Sequence, residues 1–314
     1  MTTAITIGMI IIYVAIMMGI GVYTARQTRS VSDFVLGSHS VGSWLTAFAY
    51  GTSYFSAVVF IGYAGQFGWT YGVSAAWVGI GNALLGSLLA WIVLGRRTRI
   101  MTQSLGAKTM PEYFEKRWNS KGLKIAAALI VFVFLIPYTA SVYNGLSRLF
   151  NMAFQIESEG AYKIIIIVMA LLTAIYVILG GYAATAINDF IQGIVMLIGI
   201  AAVVICAIQN QGGLTSALAA LGEIEVNGKT NTLNSVFGPD PLNLLGVVIL
   251  TSLGTWGLPQ MIHKFYAIKS ENDIKKGAVI STVFALIVAG GSYLLGGFDR
   301  LFCTLTEDGS GKTV

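Results

Sequence analysis

Asp189 is the residue of this chain whose position most needs a functional explanation. By the apolar pattern, the other thirteen of the fourteen acidic residues fall in loops or at segment ends, whereas Asp189 lies inside an apolar segment. A charge at the centre of a bilayer costs roughly 2.5–3.5 kcal/mol on insertion scales. We therefore interpret Asp189 as a candidate site residue. The alternative is a structural acid paired with a basic loop residue such as Lys124 or Lys269.

The sequence contains few residues of the kinds that form catalytic or metal-binding sites. The only cysteines and histidines are Cys206, Cys303, His39 and His263, and their spacing fits no metal-ligand pattern. The GxSxG, HExxH and phosphate-loop motifs do not occur either. We therefore expect no enzyme and no cofactor.

The composition predicts an all-α integral membrane protein. Hydrophobic residues make up 55% of the 314 residues and charged residues 11%, with a mean hydropathy of +0.75. A helix needs ~20 apolar residues to span a bilayer, and the segments lack the alternation of a membrane barrel. We expect about eight spans, the first a retained helix rather than a signal peptide. They lie near 5–23, 44–65, 74–95, 125–150, 162–180, 184–208, 242–266 and 276–298.

The net charge of +5 predicts the orientation in the membrane. Fourteen of the nineteen basic residues fall in alternate loops: Arg26, Arg29, Arg96, Arg97, Arg99, Lys108, Lys116, Arg117, Lys121, Lys124, Lys264, Lys269, Lys275 and Lys276. The positive-inside rule makes those loops cytoplasmic and the N-terminus external. Nucleic-acid binding would need clustered charge on a soluble face, which this pattern does not provide.

Two segments between the predicted spans have sequence patterns that predict their local structure. Thr109 and Glu112 have the spacing of a capping box, and the mixed aromatic and charged residues up to Trp118 predict a short interfacial helix. Residues 209–241 are polar and rich in turn residues, which indicates an external loop.

Two of the spans are interrupted by small and polar residues. The second contains Gly51 to Ser56 followed by Gly62, Gly65 and Gly68; the seventh contains Thr251 to Gly257 and then Pro259. They lie five spans apart and so cross in opposite directions, as expected for the first helices of two inverted repeats whose broken middles form a substrate and ion site. The alternative is that these glycines only allow close helix packing.

Four ordered blocks of sequence resemble the sodium/solute symporter family, which includes sodium/proline and sodium/pantothenate carriers. The blocks are Asp33–Gly37, Ser53–Gly72, Thr109–Phe114, and Gly180-Gly181 through Asn188–Gly193. The resemblance implies a leucine-transporter-type inverted-repeat bundle with one extra N-terminal helix. Residues 5–23 would be that helix, 44–208 the first repeat of five helices, 242–298 the first two helices of the second, and 301–314 a polar tail.

The resemblance also implies a sodium site and a substrate site. Backbone carbonyls of Thr52 and Phe55 would bind sodium, and Asp189 would line its inner exit. Substrate would contact Ser53, Tyr54, Ser56, Tyr138, Thr251, Thr255 and Pro259. Trp256 is predicted as a further contact from its position alone, because a mid-span indole can cover a bound solute and donate a hydrogen bond. For Trp256 and for Tyr138, which follows Pro137, helix packing is the alternative.

The expected function is sodium-coupled import of a small organic solute across the plasma membrane by alternating access. Proline carriers have an aspartate where this chain has Tyr54. The missing carboxylate weakens the case for proline as the substrate, and the sequence around Tyr54 is closer to that of the pantothenate carriers. Relatives continue beyond the point where this chain ends, so we expect a second repeat that is incomplete and a chain that does not transport alone. The alternative is a non-transporting solute sensor or a truncated remnant of a carrier. The sequence indicates no oligomeric state.

Overall fold

Helices form nearly all of the computed structural model, which describes residues 2–26, 28–37, 41–55, 58–154, 159–226, 228–305 and 311–313. The first seven α-helices are α1 (Thr2–Ala25), α2 (Val31–Leu36), α3 (Ser43–Tyr54), α4 (Ala64–Tyr71), α5 (Ala76–Gly81), α6 (Arg96–Leu105) and α7 (Met110–Trp118). The others are α8 (Lys121–Phe154), α9 (Glu159–Asn210), α10 (Leu214–Glu223), α11 (Pro241–Leu253), α12 (Pro259–Ala267) and α13 (Glu271–Gly297).

Shorter elements join or continue these helices. π-helical turns run over Val58–Tyr63, Asn82–Leu88 and Trp91–Gly95, and 3₁₀ turns over Gly72–Ala75, Gly254–Gly257 and Asp299–Leu301. Near the C-terminus, β1 (Cys303–Leu305) and β2 (Gly311–Thr313) pair in antiparallel orientation. Most of the described chain is therefore helical, as the composition predicts.

Five helical runs in the described part of the chain are long and apolar enough to cross a membrane. They become six if α11 and α12, bent by 54° at the break between them, form one broken span. The predicted spans 162–180 and 184–208 are joined in α9, and the predicted span 44–65 is interrupted where α3 ends at Tyr54. The chain is a multi-pass membrane protein, the interruption of the seventh span is confirmed, and the count of eight stays a prediction.

Both of the loop segments discussed above contain a helix in the structure. Thr109 caps α7, its side chain accepting a hydrogen bond from the Glu112 N–H, and Asn119 ends the helix in the left-handed conformation. The Glu112 carboxylate completes the turn by accepting from the Lys108 N–H at 2.8 Å. The short helix predicted there is confirmed, whereas the polar segment 209–241 also contains α10, which the turn residues around it concealed.

The chain divides into two compact units. Unit 1 comprises Met1–Ser53, Trp91–Gly193 and Gly257–Gly277. One of its apolar clusters joins α2, α9 and α12 through residues that include Leu36, Tyr182 and Tyr266. Within unit 1, α9 bends at Gly181, which has φ 58° and ψ −151°. A Cβ atom there would lie 2.7 Å from the Phe34 carbonyl oxygen, so both the conformation and the contact require glycine.

Unit 2 comprises Tyr54–Ala90, Ile194–Trp256 and Ala278–Val314. Its apolar cluster joins α10 to the end of α13 through residues that include Leu221, Leu233 and Phe298. The α4 backbone approaches α13 so closely that a Cβ atom on Gly68 would lie 1.9 Å from the Gly296 carbonyl carbon. At Gly68, therefore, the close-packing interpretation of the span-two glycines is correct.

Candidate functional site

Asp189 forms an ion pair with Lys264 inside unit 1. The Lys264 ammonium on α12 lies 3.4 Å from Oδ2 of Asp189 on α9, and the two side chains are 8% and 21% exposed. The alternative named Lys124 or Lys269 as examples of a partner, but the partner is Lys264, and Lys124 pairs with Glu115 at 2.6 Å. Lys264, assigned to a cytoplasmic loop by its charge, instead lies within a helix. Burying two opposite charges together is far less costly than burying either alone.

Two further side chains approach this pair. The Lys264 ammonium lies 5.2 Å from the centre of the Tyr182 ring, within range of a cation–π interaction. The Thr52 side chain, near the end of α3, lies close to the Asp189 carboxylate, while its hydroxyl donates to the Phe48 carbonyl. We call Asp189, Lys264, Thr52 and Tyr182 the charged site. It brings together two predicted site residues, Thr52 and Asp189, and two that sequence reasoning missed.

Thr52 lies at the end of α3, where backbone carbonyl groups are available to bind a cation. The last four carbonyl groups of an α-helix have no partner within the helix, and α3 ends at Tyr54, which places Thr52 and Ser53 in its last turn. The Thr52 hydroxyl donates a hydrogen bond to the Phe48 carbonyl oxygen at 2.9 Å. Thr52 and Ser53 are both half-buried.

A cavity of about 520 Å³ in unit 1 adjoins the charged site. It brings together Tyr138 of α8 and Pro259 of α12, both predicted as substrate contacts, although they lie far apart in sequence. Most of its lining is apolar, and its polar lining residues include Gln260, His263, Lys264 and Thr139. The side-chain amide of Gln260 is buried and makes no hydrogen bond to the described residues. A small solute with both apolar and polar groups fits such a lining.

Two of the predicted residues of unit 2, Tyr54 and Thr251, lie around Asn82, which is 2% exposed. Its Oδ1 atom lies 3.1 Å from the Thr251 hydroxyl, 3.1 Å from the Ser252 hydroxyl and 3.3 Å from the Tyr54 hydroxyl. Tyr54 also lies 3.0 Å from the Thr251 carbonyl oxygen, to which it can donate instead. We call Asn82, Tyr54, Thr251 and Ser252 the hydroxyl cluster. It contains no ionic group.

Neighbouring residues hold the hydroxyl cluster in place. The Thr255 hydroxyl donates to the Ser252 carbonyl at 3.1 Å, and the Trp256 indole donates to the Leu85 carbonyl at 3.0 Å. Trp256 therefore ties the broken end of α11 to the π-helical turn that carries Asn82. Phe55, buried and 1% exposed, stacks on Tyr54 with ring centres 4.5 Å apart. Ser56 lies outside the described residues.

Sequence reasoning missed the site residues Asn82, Tyr182, Ser252, Gln260 and Lys264. A signal was available for Asn82, since an amide side chain within an apolar span usually hydrogen-bonds across helices. For Lys264 the signal was misleading, because a lysine at the end of a span normally indicates a cytoplasmic loop.

Residues 34–309 match the model of the sodium:solute symporter family. The chain belongs to this family. The sodium/proline symporters of Staphylococcus aureus strains JH9 and USA300 are each 35% identical to it over 274 residues. The match covers 85% of this chain and 51% of each relative, so the chain spans about half their length.

The fold of this family member is similar to a solved structure. A Na⁺-coupled sialic acid symporter, in a substrate-bound outward-open state, matches with a TM-score of 0.67 at 18% identity. The match covers 96% of this chain and 61% of that one. The leucine-transporter-type helical fold expected from the sequence is confirmed, and so is the resemblance to the symporter family.

Proposed function

We propose that this family member acts in the plasma membrane as a sodium-coupled secondary symporter, and not as an enzyme, importing a small organic solute by alternating access. The match of residues 34–309 to the symporter family carries the proposal. The broken α11–α12 span supports it, because interrupted helices provide the free carbonyls that bind a hard cation at membrane depth.

For sodium, we propose the backbone carbonyls of Thr52 and Phe55 as ligands, with Asp189 lining the exit path. By the apolar pattern of the sequence, Asp189 is the acidic residue that falls inside a predicted span, and its side chain is 21% exposed. One charge crossing 100 mV supplies roughly 2.3 kcal/mol, and a tenfold sodium gradient adds roughly 1.4 kcal/mol. Together these would sustain accumulation of the solute by several hundredfold.

For the solute, we propose an amino acid such as proline, with a pantothenate-like carboxylate as the second candidate. The relatives named sodium/proline symporter favour proline. Tyr54 favours the second, because its hydroxyl belongs to the neutral hydroxyl cluster and offers no countercharge for a substrate ammonium. The unit 1 cavity, lined by Tyr138 and Pro259, has room for either solute. Ser53, Ser56, Thr251, Thr255 and Trp256 are proposed as further solute contacts on the sequence alone.

Sodium-dependent solute binding tests the proposal. The protein in lipid nanodiscs would be titrated with radiolabelled proline, and separately with pantothenate, in sodium chloride or in choline chloride at equal ionic strength. We expect saturable binding of one solute that strengthens with sodium. Binding that is identical in the two salts contradicts sodium coupling and supports the sensor alternative.

The proposed orientation has its own test. We propose an external N-terminus, with Lys108 in a cytoplasmic loop and Lys229 in an external one. Single cysteines at Lys108 and Lys229, with Cys206 and Cys303 replaced by serine, should react with impermeant reagents from opposite sides of the membrane. Labelling from the same side contradicts the inverted-repeat interpretation.

A further inference from the structure

Lys264 occupies the position beside Asp189 that a mobile cation would need. Its ammonium is the cationic group paired with the carboxylate in the described part of the chain, and its side chain is 8% exposed. In three other ion pairs of unit 1 the basic side chain is far more exposed, at 69% for Arg96, 36% for Lys116 and 46% for Lys124. Lys264 is therefore a cation held inside the protein rather than at its surface.

The geometry of the pair leaves it open to exchange. Charge-assisted N–H···O bonds are usually 2.7–2.9 Å long, whereas Lys264 Nζ lies 3.4 Å from Asp189 Oδ2. The ammonium also contacts the Tyr182 ring and lines the 520 Å³ cavity, so both can accommodate it when it moves away. The structure thus contains a loosely held cation with an alternative environment beside it.

A single carboxylate in an apolar span can neutralise one monovalent cation. If sodium bound to Asp189 while Lys264 stayed in place, the site would carry a net positive charge in a medium of low polarity, which is costly. The two cations are therefore alternatives. Thr52, whose carbonyl is a proposed sodium ligand, has its side chain close to the same carboxylate.

We propose that Lys264 is a tethered cation that competes with sodium for Asp189. Sodium arriving at Asp189 displaces the ammonium towards Tyr182 and the cavity, and the return of the ammonium expels sodium. Lys264 would then set the sodium concentration at which the site fills. The proposal rests on the proposed symport function, since it assigns a new residue to the control of the coupling ion.

Direct sodium binding tests the competition without any solute. Binding of ²²Na⁺ would be measured on the protein in nanodiscs, with choline chloride holding the ionic strength constant. Lys264→Gln removes the competitor, and coupling of this kind typically changes affinity by 5–150-fold. We expect the half-saturating sodium concentration to fall by about tenfold. An unchanged or higher value in the folded variant overturns the proposal.

Arg96→Gln is the matched control. It also removes one cation from an ion pair of unit 1, but its partner is Glu271 and its side chain is 69% exposed. We expect its sodium affinity to equal that of the unmodified protein. A decrease as large as that of Lys264→Gln would mean that general loss of positive charge explains the result, and would overturn the assignment to Lys264.

Lys264→Arg keeps the test decisive if Lys264→Gln does not fold. A guanidinium can hold a carboxylate through two parallel hydrogen bonds, which makes it a stronger competitor than an ammonium. We expect the half-saturating sodium concentration to rise several-fold. A value equal to or below that of the unmodified protein overturns the proposal.

The results separate this proposal from the proposed function. If neither the unmodified protein nor Lys264→Gln shows saturable sodium binding, sodium-coupled symport itself is contradicted. If it binds sodium and Lys264→Gln binds sodium equally well, symport stands and only the competition by Lys264 is overturned.

Discussion

The charged site of unit 1 and the hydroxyl cluster of unit 2 bury polar groups in two different ways. Asp189 and Lys264 neutralise each other across 3.4 Å, so each depends on one partner. Asn82 instead has three hydroxyl groups within 3.3 Å of one oxygen atom, so losing any one of them leaves the others. A single partner for each charge suits a site that exchanges its cation. Several hydroxyl groups around one oxygen atom suit a site that holds two helical segments together.

The largest effect is expected from breaking the charge pair. Removing one partner of a buried ion pair costs about 3–5 kcal/mol because the other charge is left without compensation. We expect Asp189→Asn to lower the free energy of unfolding by about this amount, measured by thermal or denaturant unfolding in detergent. The double variant Asp189→Asn/Lys264→Gln should recover most of the loss. A double variant no more stable than Asp189→Asn contradicts the pairing.

Sodium should change the Tm of Lys264→Gln and of Asp189→Asn differently. Lys264→Gln leaves a carboxylate that sodium can neutralise, so sodium chloride should raise its Tm more than choline chloride does. Asp189→Asn leaves an ammonium, which sodium cannot neutralise, and its Tm should respond equally to both salts. Equal responses of the two variants to sodium would contradict this distinction.

A smaller effect is expected in the hydroxyl cluster. Asn82→Leu keeps the branched shape of the side chain but deprives Tyr54, Thr251 and Ser252 of a shared acceptor, which costs about 1–3 kcal/mol in the free energy of unfolding. Its sodium response should be unchanged. Asn243→Leu, at an exposed position of α11, is the control and should change stability by less than about 0.5 kcal/mol. Equal losses in the two variants would mean that the cluster contributes nothing to stability.

Gly86 tests the packing of the same cluster. A Cβ atom on Gly86 would lie 2.0 Å from the Tyr54 hydroxyl oxygen, so Gly86→Ala should cost about 1–3 kcal/mol in unfolding free energy. The cost should shrink in a Tyr54→Phe background, where that oxygen is absent. Gly246→Ala is the control, because nothing lies within 4 Å of its Cβ position. Additive effects of Gly86→Ala and Tyr54→Phe would contradict this contact.

The smallest effect is expected in an ion pair whose basic partner is partly exposed to solvent, as Lys116 is at 36%. Glu112 of α7 pairs with Lys116 at 2.8 Å. Burial alone would raise the pKa of Glu112, but Lys116 and the Lys108 N–H together outweigh it and lower the pKa. A lowered folded-state pKa stabilises at neutral pH, and that stability is lost as pH falls below the ordinary glutamate value. Glu112→Gln should cost only about 0.2–1 kcal/mol at pH 7, with no difference from the unmodified protein at low pH. A difference that persists at low pH contradicts the ionic explanation.

Local features of the chain were predictable from the sequence because they depend on neighbouring residues. Thr109 indicates the start of α7 through the spacing of a capping box, and the structure places the helix at Met110–Trp118. The small residues between Thr251 and Pro259 predict an interrupted span, and α11 and α12 are bent by 54° at that place. The helix α10 was missed because flanking turn residues dominate its short segment.

The partners of the site residues were not predictable in the same way. Asp189 needs a countercharge, but Lys264 is 75 positions further along the chain and was assigned to a loop by its charge. Asn82 and Thr251 are separated by 169 positions and share no motif. Tyr138 and Pro259 were each predicted as substrate contacts, yet nothing in their spacing says that they line one cavity.

The sequence by itself determined the membrane class, the helical architecture, the family and the need for a partner at Asp189. These follow from transfer free energies and backbone preferences that add up along the chain. The tertiary structure alone decided that Lys264 is that partner, that Asn82 gathers the hydroxyls of Tyr54, Thr251 and Ser252, and that Tyr138 meets Pro259. Such pairings depend on how distant helices approach one another, and no local property of the chain encodes that approach.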